Sequence, residues 1–174
     1  MACLPLNPLL IDGCADGTVG GISTYYAIYK SDIASYTEVN HIATPVLVAT
    51  KFWTPIQVEA ATSSAQNSFV RPNKFYRETV TMVLADNDEL TLSTIDSLLK
   101  GQLVIIAVME NGTKKIFGLN SGNSLADGRG LESATGEWTT GVADGDVNAH
   151  TIVMNGRRLS PTPYLDDAYV IVTA

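Results

Sequence analysis

Two apolar runs flank the pair Asn111-Gly112, Gln102 to Glu110 on one side and Thr113 to Leu119 on the other. An Asn-Gly pair in that setting is the strongest short-range hairpin signal a chain carries. A two-residue turn needs φ > 0 at both positions, and these residues reach it at the least cost. The rest of the segment from Gly101 to Pro163 keeps this character. A Gly- and Asp-rich stretch from Ser133 to Asn148 follows the hairpin, then a further run from Thr151 to Gly156. Strands alternating with acidic glycine turns make a β-scaffold with long loops, with no catalytic group among them.

Most of the remaining chain also reads with a period of two. Ile22 to Lys30 alternates as a strand, with Ile22, Tyr26 and Ile28 on one face. Ser31 to Ile33 is a turn, His41 to Thr44 a short extended piece, and residues 46–53 and 56–60 are two more strand candidates. Asn73 to Leu84 is a long strand. Its residues Phe75, Arg77, Thr79, Thr81 and Val83 alternate with the more apolar set Tyr76, Glu78, Val80, Met82 and Leu84, which is assigned to the core. Ahead of it Ala61 to Ser68 is small and polar, and it reads as the centre of a long loop near residues 60–73.

One segment breaks the pattern. Between Asp86 and Lys100, Leu92, Ile95, Leu98 and Leu99 form a single apolar stripe at helical spacing. Thr91 or Asp88 suits the cap, Asp88 and Glu89 the N-terminal dipole, Lys100 the C-terminal one, and Gly101 the residue after the last turn. Further strands are expected near 131–139, 150–156 and 168–173. About nine strands and a lone helix predict an all-β fold. It is a mainly antiparallel β-sandwich or small barrel, with an α-helix near residues 88–100 flanking an open edge or end. Residues 1–21, interrupted by Pro5 and Pro8 and rich in glycine, read as an extended N-terminal arm. Its Leu4, Leu6, Leu9, Leu10 and Ile11 are too apolar for a free tail and are expected to dock on this domain or a neighbour. Residues 22–174 then form a single β-sandwich domain.

Composition bounds the function. A chain of 174 residues suits one domain, and 45% hydrophobic content excludes general disorder. Charged residues are 17%, against roughly 25% in an average soluble chain, which points to surface covered by partner subunits. An apolar-rich monomer would give the same total. Eleven basic against eighteen acidic residues, net charge −7, excludes a chain built to grip nucleic acid, where Lys and Arg must neutralise phosphates. Cys3 and Cys14 are no disulfide framework and are expected as reduced thiols. No apolar run reaches membrane-spanning length, and the start lacks a basic region before its proline-interrupted apolar residues, so neither membrane insertion nor a secretory signal is expected.

Candidate chemistry is sparse. Asp144-Gly-Asp-Val-Asn148 starts like a calcium loop, but Ala149 stands where the turn needs glycine and Asn155 where the bidentate glutamate belongs, so it reads as a tight acidic turn. Asp166, Asp167 and Glu137 supply carboxylates with no spacing that joins them for glycoside hydrolysis. His41 and His150 adjoin no nucleophile motif and have no metal-ligand spacing. Gly17 to Gly21 is not followed by the Lys of a phosphate loop, and Asn111-Gly-Thr113, formally a glycosylation sequon, is the turn already described. Tyr25, Tyr26, Tyr29, Tyr36, Phe52 and Trp53 suit a sugar-binding face, a strand core or a subunit interface. No catalytic, cofactor-binding or metal-binding residue is assigned, no cofactor is expected, and the chain does not read as an enzyme.

The order of elements resembles a known family. Strand, long loop, a strand opening on Phe75-Tyr76, helix, Asn-Gly hairpin and closing Gly-Asp segment is similar to the tail-tube (major tail) proteins of tailed bacteriophages. The segments that carry the likeness are Leu98 to Gly112 with Ile116-Phe-Gly-Leu119, and Ala134 to Glu137 through Gly145-Asp-Val-Asn148 to Met154-Asn-Gly156. Cys14 to Ile22 also resembles the start of structural proteins from phages of Bacteroidetes hosts. The resemblance implies a β-sandwich protomer that joins copies of itself into a ring, commonly a hexamer. Such rings stack into a tube through which DNA passes without specific binding, and the long loop and the arm bridge them. It also implies other tail or connector proteins as partners, assembly in the host cytoplasm and a place in the virion, with more acidic than basic side chains in the lumen. Two other readings of the residues stay open. One is a different virion component, such as a head–tail connector, tail terminator or head-decoration protein; the other is a soluble carbohydrate-binding or adhesin-like β-sandwich.

Overall fold

The unbroken apolar run Leu103–Met109 cannot lie on a half-exposed sheet, because successive strand residues point to opposite faces and both must then be covered. The computed structural model, which describes residues 21–58, 62–71, 75–85, 89–119, 130–139 and 149–173, meets that demand with two sheets. The strands are β1 (Ile22–Tyr29), β2 (Ile33–Val39), β3 (Ile42–Leu47), β4 (Thr54–Ile56), β5 (Ser64–Val70), β6 (Phe75–Ala85), β7 (Leu103–Met109), β8 (Lys114–Phe117), β9 (Glu132–Thr139), β10 (Ala149–Arg158) and β11 (Tyr164–Leu165). Helix α1 (Glu89–Lys100) connects β6 to β7. The larger sheet runs β2-β3-β11-β8-β7-β1-β4 and the smaller β5-β6-β10-β9, antiparallel throughout except where β11 meets β3. The fold is all-β with one flanking helix among the described residues, and neither sheet closes into a barrel.

Alternation on β7 feeds two cores. Leu103, Ile105 and Ala107 point toward the smaller sheet and meet Val80, Met82 and Leu84 of β6 with Ile152 and Met154 of β10. Val104 and Ile106 point the other way, into a second cluster with Ile28, Tyr36, Trp53 and Ile116. Each fully buried aliphatic side chain contributes on the order of 1.5–3 kcal/mol of transfer free energy, so this central strand anchors both layers. Tyr36 lies on edge strand β2 and Trp53 just ahead of the opposite edge strand β4, so the larger sheet curls around the second core. Residues 166–173 cross its open side as a strap. The Asp166 N–H donates to the Ala43 carbonyl (3.1 Å), the Trp53 N–H to the Val172 carbonyl (3.0 Å), and Trp53 Nε1 to the Tyr169 hydroxyl (3.0 Å). Tyr169 and Ile171 pack inward, whereas Val170 and Val172 stay exposed.

Several expectations need correcting. The stretch around 61–68, read as a long loop, contains β5, which pairs with β6 in unbroken register from Ser64↔Thr81 to Val70↔Phe75. The partner strand, not the sequence's own apolar pattern, makes it a strand. Residues 168–173, read as a strand, form the strap, and its one bridge is Trp53↔Thr173. The Asn111-Gly112 turn is a three-residue loop in which the Gly112 N–H donates to the Met109 carbonyl (2.9 Å) and only Gly112 has positive φ, +81°. The two-residue turn with both φ positive occurs instead at Asn40 (52°) and His41 (63°), closing the β2–β3 hairpin without any glycine. Gly101 does not take a left-handed conformation; a Cβ there would meet the Tyr29 ring at 2.7 Å, so close packing is what demands glycine. The helix and the inward set of β6 follow the periodicity, with Ile95, Leu98, Glu78, Val80, Met82 and Leu84 all buried. Residues 1–20 of the N-terminal arm (1–21) lie outside the described residues, as do Cys3 and Cys14.

Candidate functional site

Strand β5 forms an edge of the smaller sheet, with no strand beyond it among the described residues. Its seven residues, Ser-Ala-Gln-Asn-Ser-Phe-Val, include no charge and no proline, and Gln66 to Phe69 are exposed. Edge strands offer a row of backbone N–H and C=O groups to any further strand. Natural monomers blunt them with lysine, proline or a bulge, or by covering them. β5 carries none of the first three, and its register with β6 contains no bulge. Edge strand β2 of the larger sheet differs, since its pairing with β3 shifts between Ile33 and Ser35.

The outward face of the smaller sheet follows from its registers. Ser64, Gln66 and Ser68 of β5 lie beside Thr81, Thr79 and Arg77 of β6, which lie beside Val153, Asn155 and Arg157 of β10. The Thr79 hydroxyl donates to Asn155 Oδ1 across two of these strands (3.0 Å). Hydroxyl and amide groups dominate the face, which suits water or a polar partner better than a second hydrophobic layer.

Where the two sheets meet beside β5, a polar cluster is buried. Glu78 sits on the inward face of β6 at 1% exposure, and Arg158, at the end of β10, is equally buried. Glu78 accepts from the Gly118 N–H and from the Thr162 hydroxyl, both at 2.8 Å, and Asn67 Nδ2 of β5 donates to the same Thr162 oxygen. Arg158 donates to the Leu119 carbonyl (2.9 Å), to Ser160 and Pro161, and to the Glu38 carboxylate of β2. One edge strand of each sheet is thus tied to the seam, β5 through Asn67 and Thr162 and β2 through Glu38 and Arg158. Burial raises the Glu78 pKa; the Gly118 N–H, the Thr162 hydroxyl and the Arg158 charge pull it back, while Glu38 adds to the rise. Among the described residues, these groups bond to one another and to the backbone of the fold.

The residues weighed from sequence do not converge. Tyr25, Tyr36 and Trp53 are buried in two different cores, and only Tyr29 and Phe52 of that aromatic set are substantially exposed. Asp166 accepts from the Thr44 hydroxyl and the Ala168 N–H, Glu137 lies on β9, and Asp144 to Asn148 fall outside the described residues. His41 lies in the β2–β3 turn near Glu38 (3.9 Å), and the His150 ring faces that of Trp138 at 6.3 Å. A cavity of about 220 Å³ between α1, β1 and β4 is lined by Tyr29, Phe52, Ile56 and Leu98 with the hydroxyls of Thr94 and Ser97 and with Asp32, whose carboxylate pairs with Lys51 (3.2 Å). Among the described residues no group of three His, Cys, Asp or Glu side chains is placed to hold a metal ion, and no helix is long and apolar enough to cross a membrane. Sequence reasoning missed both the β5 edge and the Glu38–Arg158–Glu78 cluster. The partners in the cluster lie 40 to 120 residues apart and leave no local pattern. No family model, curated protein or solved structure matches the chain.

Proposed function

We propose that this chain is a structural protein whose function is to associate with copies of itself, as the tail-tube protein of a bacteriophage. The observation that carries the reading is the β5 edge: seven uncharged residues, regularly paired on one side and open on the other among the described residues. In a protein meant to stay alone such an edge is an aggregation hazard; in an assembling one it is a joint. The resemblance in element order to tail-tube proteins supplies the larger object, a ring, commonly hexameric, stacked into a hollow tube in the virion. DNA passes through that tube, held by no basic groove, and other tail or connector proteins cap it. A net charge of −7 favours a lumen that repels phosphate and does not bind it.

Negative-stain microscopy of the purified full chain tests the reading, with sedimentation velocity over a concentration series alongside. Rings or tubes of regular diameter are expected. A single monomeric species at every concentration overturns the proposal, and small closed species alone would move the chain from the tube to a connector or decoration role.

A further inference from the structure

Arg77 and Arg157 stand directly opposite each other on β6 and β10, both exposed and both on the outward face of the smaller sheet. Like charges in register on adjacent strands repel. Among the described residues no carboxylate relieves them. Arg157 lies over the Phe75 ring, 5.1 Å from its centroid, and β9 ends its pairing one row earlier, at Glu132↔Asn155, with Glu132 held by Gln102 (2.9 Å). A chain with eleven basic and eighteen acidic residues places two of its arginines face to face in the open. Their forked guanidinium groups are shaped to grip a carboxylate between them.

Taking self-association as proposed above, we infer that this arginine pair receives the C-terminal strap of a second copy, with the exposed Asp167 carboxylate between the two guanidinium groups. Asp166 beside it is committed to Thr44 and to its own turn, which leaves Asp167 as the outward charge. Beyond it Val170 and Val172, 75% and 49% exposed among the described residues, offer apolar surface. Phe75 and Val153 lie half-buried beside the arginines to meet them. The strap lies on the far side of the larger sheet and the arginines on the far side of the smaller one, so the two surfaces are on opposite sides of the sandwich. A contact between opposite sides is head-to-tail, the kind that closes into a ring or continues as a filament.

Charge exchange tests the pairing in the full chain. Arg77→Glu with Arg157→Glu, and separately Asp167→Lys, are each expected to raise the concentration needed for assembly more than about tenfold, since juxtaposed like charges oppose docking. Mixing the two variants should restore assembly as an alternating copolymer, because each then meets a complementary face. All three positions are exposed, and circular dichroism checks that each variant is folded. Wild-type protein provides a second measurement without any variant: raising salt from about 0.05 M to about 0.5 M should weaken assembly by screening the contact. Normal assembly by the arginine variant overturns this inference and leaves self-association through β5 intact. Failure of the mixture to assemble overturns the pairing of these two faces. A wild-type chain that never assembles removes both.

Discussion

Among the described residues, the central strand of the larger sheet is covered on both faces and the smaller sheet on one, and the contrast separates the part of the molecule that holds the fold from the part free to meet something else. Every residue of β7 from Leu103 to Ala107 is buried, because the small sheet covers one side and the curled sheet with its strap covers the other. On β10 burial alternates, with Ile152 and Met154 inside and Thr151, Val153 and Asn155 only half-covered. A face that contributes little to stability is not constrained by it. The polar surface and open edge of the small sheet are therefore where selection for a partner can act.

The largest expected effect tests whether the seam holds these unequal layers together. Arg158→Ala should cost about 3–5 kcal/mol in urea unfolding, because it leaves the partly buried Glu38 carboxylate without its cation and the Leu119 carbonyl without its donor. A loss below about 1 kcal/mol would mean that the apolar core alone joins the sheets. Next, Ile106→Ala on the far face of the larger sheet should cost about 2–5 kcal/mol, whereas Ser68→Ala on the far face of the smaller should stay within about 0.5 kcal/mol. Equal costs would break the comparison outright. A third test uses pH. Glu78 holds its proton more tightly folded than unfolded, chiefly through burial, so its contribution to stability is fully present below the ordinary carboxyl value of 4.5 and is lost as pH rises through the folded value. Glu78→Gln removes that loss, and its stability relative to wild type should improve as the pH is raised from mildly acidic to neutral. A difference that is flat across that range would place the charge of Glu78 outside the energetics of the seam. The smallest effect concerns the β2–β3 turn. His41→Gly should stabilise by ~0.5 kcal/mol, the relief of a left-handed residue less the added freedom of the unfolded chain.

The same contrast explains what the sequence could reveal. Strands packed on a core leave a periodic record: the inward set of β6 and the Ile95 and Leu98 face of α1 were legible because burial selects apolar residues at fixed spacing. β5 has no such record. Its side chains are mostly exposed, so its strand character comes from β6 alone, and its small polar residues resemble a loop. The strap misleads in the opposite sense, since Tyr169 and Ile171 alternate with Val170 and Val172 like a strand although little of it pairs. The seam was invisible because Glu38, Glu78, Arg158 and Thr162 meet only after the chain has folded. Glu78 in particular occupies a core position in the alternation that its own chemistry argues against.

The close approach of Gly118 to Leu103 and Leu131 has a practical consequence. A Cβ on Gly118 would lie 2.6 Å from the Leu103 carbonyl and 3.1 Å from the Leu131 nitrogen, and Leu103 and Leu131 exchange both backbone bonds, at 2.9 and 2.7 Å. Residues 118 and 131 are thus held together around Leu103, and the Glu78 and Arg158 side chains reinforce the contact by bonding the Gly118 N–H and the Leu119 carbonyl. Lengthening a chain between two ends fixed in this way adds only a slowly growing closure entropy. An affinity epitope spliced between residues 119 and 130 should therefore leave urea unfolding nearly unchanged, which makes the site a handle for labelling the purified chain.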